Sequence, residues 1–119
     1  MDNEIKPHFK AKTTVTRGRK YGPDKGKFTF GEDGWRVIPT QIDGMQELYG
    51  EMARGSLGIY VGKESVFEKG ESFDAECRYA VLEAYTSLIK LGAEFKLWDG
   101  GFFAVGVITE VYKENWIEI

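Results

Sequence analysis

Hydrophobic and polar side chains alternate along much of this 119-residue chain. Between His8 and Thr16, Phe9, Ala11, Thr13 and Val15 fall on one face and Lys10, Lys12, Thr14 and Thr16 on the other. A period of two marks a strand with one buried side. The same pattern starts at Phe73, setting Phe73, Ala75, Cys77, Tyr79 and Val81 against Asp74, Glu76, Arg78, Ala80 and Leu82. Residues 75–89 are tolerable in a helix, but five alternating pairs containing Phe, Tyr and Val favour a strand. Shorter strands are predicted at 27–31, 35–41, 57–61, 94–98 and 102–112. Pro39 cannot donate to a ladder, so its strand should lie at an edge or carry a bulge. Gly106, inside the last strand, points to a close approach or a bend.

Turn chemistry separates these runs. Residues 17–26, RGRKYGPDKG, read as a loop, Asp33-Gly34 as a hairpin turn, and Asp99-Gly100-Gly101 as another. The stretch 63–72, KESVFEKGES, reads as a loop ending in a turn at Gly70. In residues 43–56, Gln46 to Leu48 suit one helical turn, while Gly44, Gly50 and Gly55 oppose a longer helix. Six or seven short strands without a convincing helix predict an all-β fold, a small antiparallel closed β-barrel, with a sandwich as the other solution. The length fits a single domain over 1–119, with 1–6 and 113–119 as flexible or edge tails. Fifteen glycines and three prolines agree with strands joined by tight turns.

Charge changes this picture. Residues 1–27 hold eight bases and three acids, a net charge of +5, whereas residues 28–119 hold eight bases and sixteen acids, a net charge of −8. Such asymmetry marks either a surface for an anionic partner or a solvated hairpin offset by acidic neighbours. Arg17, Arg19, Lys20, Lys25 and Lys27 are the basic side chains of the loop and its border. Tyr21 lies among them and could stack on a base or anchor an interface. Trp35 is expected in the core.

The order of motifs resembles the C-terminal barrel of elongation factor Tu-type translation GTPases. That family's barrel opens on Lys-Pro-His and a Phe-x-Ala-x strand, matched here by Lys6-Pro7-His8 and Phe9-Lys10-Ala11-Lys12. A basic, glycine-rich loop follows, matched by Arg17-Gly18-Arg19-Lys20. Next come an aromatic pair and Gly-aromatic-Arg, matched by Phe28, Phe30 and Gly34-Trp35-Arg36. It ends on a strand, a Gly-Gly hairpin and Gly-Val-x-Thr, matched by Phe95 to Gly101 and Gly106-Val107-Ile108-Thr109. The likeness spans residues 6–112, with residues 43–68 matching poorly. Lys10 and Lys12 stand where acids are usual, and Phe102 replaces a base after the diglycine. The resemblance implies a barrel contacting the T-stem of aminoacyl-tRNA through the basic loop, at Arg17, Arg19 and Lys20, and through the hairpin at Gly100 and Gly101. It also implies protein partners. The GTP-binding machinery has no counterpart: Gly22 to Phe28 is one residue short of a phosphate loop and ends in Phe where a Mg²⁺-binding hydroxyl belongs.

No catalytic constellation stands out. His8 is the single histidine and has no partner in metal-like spacing, so neither a metal nor a cofactor is expected. Cys77 belongs to the buried side of its strand and is expected to behave as a small hydrophobe. Ser56, Ser65, Ser72 and Ser87 form no nucleophile elbow, and Glu32-Asp33 reads as turn chemistry. The opening MDNEIKPHFK is unlike a signal peptide, no apolar run approaches the roughly 20 residues of a membrane helix, and one cysteine allows no internal disulfide. A cytoplasmic, non-enzymatic binding module is therefore expected. Its ligand would be tRNA or ribosomal RNA. The alternative is a protein-interaction module, such as a regulator or an immunity-type protein, with no nucleic-acid binding.

Overall fold

The alternating run at the start of the chain becomes β1, Phe9–Val15, with Phe9, Ala11, Thr13 and Val15 fully buried. A computed structural model describes residues 6–116. After β1 come β2 (Lys27–Phe30), β3 (Trp35–Ile42), a short helix α1 (Met45–Tyr49), β4 (Gly55–Tyr60), β5 (Ser65–Glu68), β6 (Ser72–Tyr79), β7 (Glu94–Trp98) and β8 (Phe102–Val111). Six strands close into an antiparallel barrel in the order β1-β6-β4-β3-β7-β8, as expected for the fold class, and β2 and β5 form a separate two-stranded sheet. β1 closes the barrel, pairing with β6 from Phe9↔Cys77 to Thr14↔Ser72 and with β8 from Phe9↔Val111 to Val15↔Ala104.

Differences from expectation have local causes. β5 lies in the stretch expected as loop, and only two of its four positions are half-buried. It becomes a strand by pairing with β2, from Lys27↔Glu68 to Phe30↔Ser65. The run from Phe73 stops alternating after Tyr79: Val81 is exposed and Leu82 buried, in a single 3-10 turn over Leu82–Ala84. Pro39 sits inside the barrel wall, yet β3 pairs with β7 only from Thr40 to Ile42, so the proline lies just outside that ladder. Trp35, expected in the core, lies half-buried on the outer face over Gly58, where a Cβ would come within 2.3 Å of its Cη2. The described part of the C-terminal tail is held. Asn115 Nδ2 donates to the Pro7 carbonyl (2.8 Å) and Trp116 Nε1 to that of His8 (3.2 Å). Of the two expected tails, residues 1–5 and 117–119 lie outside the described residues.

The core has two parts. Within the barrel Phe9 packs against Tyr79 (6.0 Å between ring centres) and Phe95 (5.8 Å). At one end the β2–β5 sheet contributes Phe28, Phe30 and Phe67 to a cluster with Phe73 and Phe103, with the Phe67 and Phe73 rings stacked at 4.0 Å. Of the buried polar side chains, Thr13 Oγ1 has no hydrogen-bond partner among the described residues, whereas Thr40 and His8 are tied in. Thr40 Oγ1 donates to Gly55 O (3.0 Å) and lies 2.9 Å from Tyr79 Oη. The buried His8 accepts the Tyr79 N–H at Nδ1 (3.1 Å). Helix α1 is as short as its glycines require, with Gly44 and Gly50 at its two caps.

Gly106 admits a ring. A Cβ there would lie 2.2 Å from Phe95 Cζ, and Phe95 is buried at the centre of the aromatic core. Alanine has the higher β-propensity, but overpacking dominates at a fully enclosed site. Gly106→Ala should therefore destabilise the protein by about 1–3 kcal/mol, read as a lower urea midpoint. A raised midpoint would contradict the packing argument.

Burial raises the Cys77 thiol above its ordinary 9.0 and the Tyr79 phenol above its ordinary 10.0. Both groups are neutral at pH 7 in either state. Above about pH 9 the unfolded chain releases these protons while the folded chain retains them. Their contribution is complete below the unfolded values and is lost as pH rises toward the folded ones. Urea midpoints should hold steady up to about pH 9 and then fall, less steeply in Tyr79→Phe. A midpoint that is flat to pH 11, roughly a unit above an ordinary phenol, would exclude this linkage.

Candidate functional site

The basic loop between β1 and β2 is anchored against the β7–β8 hairpin. The N–H groups of Thr16, Arg17 and Gly18 all point at the Phe103 carbonyl, at 3.0, 3.0 and 3.2 Å. The neck of the loop is closed by Arg19 N→Lys27 O (2.9 Å) and Gly26 N→Arg19 O (2.8 Å). Only glycine fits at Gly18: its φ is +74°, and a Cβ would lie 2.1 Å from the Gly26 carbonyl carbon. The backbone therefore fixes where the arginines emerge.

Arg17 lies across the diglycine turn, with Nη1 and Nη2 3.0 and 3.1 Å from the position a Gly101 Cβ would take. Arg19 Nε is 2.9 Å from Asp99 Oδ2, an ion pair by distance whose N–H is not aligned on the oxygen. Its Nη1 is 3.9 Å from Asp24 Oδ2. Arg36, from β3, donates Nη1 to the Thr29 carbonyl (2.7 Å) and lies over the Phe28 ring (5.7 Å). Burial first, and then the charge of Arg19, lower its guanidinium below the ordinary value, against the opposing influence of Asp99 and Asp24. Arg17, Arg19, Arg36, Asp24 and Asp99 are thus one electrostatic cluster around the tip of the hairpin.

A second group stands on the outer face of the same hairpin. The Arg54 guanidinium lies 4.4 Å from the Trp98 ring centre and 5.2 Å from that of Phe102, which meet edge to face at 5.0 Å. Lys96 Nζ lies 5.5 Å from the Phe102 ring. This edge is cationic, and Phe102 is the platform on which Arg54 and Lys96 rest.

Of the residues expected at a site, Arg17, Arg19, Gly100 and Gly101 are brought together. Lys20, Tyr21 and Lys25 are exposed on the outer turn of the loop, Tyr21 at 72% of its surface with Lys20 Nζ 5.5 Å from its ring. Lys27 is half-buried in β2, in register with Glu68, with its carbonyl accepting the Arg19 N–H. Arg36, Arg54, Lys96, Trp98 and Phe102 were not assigned to a site. Alternation within Glu94–Trp98 already pointed Lys96 and Trp98 outward, but no local signal marked Arg54. The basic N-terminal segment also divides: Lys10 and Lys12 are cross-strand neighbours of Glu76 and Asp74, so their charge is met locally. Among the described residues no group of three or more His, Cys, Asp or Glu side chains gathers as a metal site requires, and no helix is long and apolar enough to cross a membrane.

No known protein family matches the chain, and comparison with curated proteins finds no significant similarity.

Arg54 covers one face of Trp98. Removing it in Arg54→Ala should uncover the indole. With Trp35 and Trp116 replaced by Phe, Trp98 emission should shift to the red and iodide quenching should increase, with a loss of about 0.5–2 kcal/mol in stability. Unchanged emission and quenching would refute the stacked arrangement.

Proposed function

We propose that the protein is a non-catalytic RNA-binding module, a barrel of the kind that ends elongation factor Tu-type translation GTPases, acting in the cytoplasm on tRNA or ribosomal RNA. The observation that carries this reading is the convergence of Arg17, Arg19 and Arg36 at the hairpin tip, continued along its outer face by Arg54 and Lys96. Arginine forks suit phosphate oxygens, and a row of them along a rigid edge suits a nucleic-acid backbone. Asp99 and Asp24 hold Arg19 in place and temper its charge, so affinity comes from the row of cations rather than from one residue.

The geometry supports backbone reading over base reading. Trp98 and Phe102 meet edge to face and carry Arg54 on top, which leaves Tyr21 as the openly exposed aromatic beside the cations. Binding should therefore tolerate sequence and depend steeply on salt.

Titrating bulk tRNA by fluorescence polarisation at low and moderate salt tests this. We expect micromolar affinity at low salt, within the ordinary range of non-specific phosphate binding. It should weaken about tenfold or more at moderate salt, and Arg17→Ala with Arg19→Ala should weaken it further. No binding at low salt, or a double variant that binds as the parent does, would overturn the reading and leave a protein-interaction module.

A further inference from the structure

A second surface lies at the other end of β7. Glu94 opens that strand and Asp99 follows its end, which separates the two regions by the strand's length. Tyr49 Oη donates to the Ala84 carbonyl (2.6 Å), and the Tyr49 and Tyr85 rings meet edge to face at 5.9 Å, which ties α1 to the segment before β7. Gly44, at the helix start, faces Leu88: a Cβ there would lie 2.7 Å from Leu88 Cδ2. Leu48 is four residues beyond Gly44, about one helical turn, and so shares that side of α1. An open cavity of about 440 Å³ continues from Gly44 and Leu88 to Leu91. Val81 stands beside Ala84, whose N–H it accepts at 3.3 Å.

Leu48, Val81 and Leu91 expose 54%, 51% and 68% of their surfaces here. Asp43, Glu47, Glu83 and Glu94 are all exposed on the same segments, with Lys90 as the base among them. An apolar centre with an acidic rim defines its occupant. A second copy of the chain docked face to face would oppose two acidic rims, and an anionic lipid surface would be repelled in the same way. A segment with an apolar stripe and flanking lysines or arginines would satisfy both features.

From this complementarity we infer that α1 and the segment before β7 form a docking site for a basic amphipathic segment of a partner protein. The apolar stripe of that segment covers Leu48, Val81 and Leu91, and its cations face Glu47, Glu83 and Asp43. This site is independent of the arginine rim.

A synthetic amphipathic peptide of Leu and Lys, followed by NMR on the isotopically labelled protein, tests it. Amide resonances of residues 43–52 and 80–94 should shift. A counterpart with Glu in place of Lys should not bind. Leu48→Ser with Leu91→Ser, and separately Glu47→Lys with Glu83→Lys, should each weaken binding about tenfold or more, on the order expected from apolar area and charge pairing. Both pairs are exposed, and the leucine variant, which leaves the charge unchanged, should keep whatever affinity the parent shows for tRNA. Three results would overturn the inference: shifts confined to another face, equal binding of the Glu peptide, or unchanged affinity in both variants. A concentration-dependent dimer that the leucine variant abolishes would replace the inferred partner with a second copy.

Discussion

Phe9–Val15 carries hydrogen bonds on both edges, to β6 and to β8, and the barrel stays closed only while both ladders are made. The seam joins residues near opposite ends of the chain, since β1 precedes β8 by nearly the whole sequence. Closure in turn limits what the interior can hold. Beside Phe9, Phe73, Phe95 and Tyr79 the inward positions of β1 and β6 are small or medium, with Ala11, Thr13, Val15, Ala75 and Cys77, and Gly106 gives up its side chain to the Phe95 ring. One end is stopped by phenylalanines from the β2–β5 sheet. The register that fills the interior also fixes every outward side chain, because a one-residue slip would exchange the two faces.

Charge is sorted by that register. Lys10 and Lys12 belong to the basic stretch of the sequence, yet β1–β6 pairing sets them beside Glu76 and Asp74. Arg17 and Arg19, a few residues later, leave the wall where β1 ends and meet the hairpin tip. Arg36 and Arg54, from the otherwise acidic remainder, join the same neighbourhood. A net charge counted along the chain therefore overstates the N-terminal segment as a surface and misses half of the arginines that form one.

The barrel was legible because its strands are amphipathic in the plainest way. β1, β6 and β7 alternate without interruption, and Asp99-Gly100-Gly101 has the residues a tight hairpin demands. β5 was not legible, since four residues with no fully buried position acquire strand geometry only from a partner almost forty positions earlier. Trp35 was misjudged for a related reason. Large aromatics are usually core, but this one finds its burial on the outer wall, in the space left by Gly58. The loop arginines stood out by charge and the diglycine as a turn, whereas the diglycine became a candidate contact only through the resemblance to the elongation factor Tu-type barrel. Arg54 was not legible, because its role comes from stacking on Trp98 and Phe102, which lie far away in sequence.

The two surfaces differ in how firmly they are built, and this bears on what each can recognise. The arginine rim is braced from beneath: three N–H groups grip one carbonyl, Gly18 packs against Gly26, and aromatic rings support Arg36 and Arg54. Side chains held in this way lose little freedom on meeting phosphates, which favours a rigid, repetitive ligand such as a nucleic-acid backbone. The acidic end is built on a five-residue helix between glycines and a single 3-10 turn, joined by one tyrosine hydrogen bond and packing around Leu88. Short elements of this kind adjust at small cost, which suits an apolar partner segment whose side chains must be accommodated rather than matched to a fixed lattice. One small barrel can thus present a stiff cationic edge at one end of β7 and a yielding acidic end at the other.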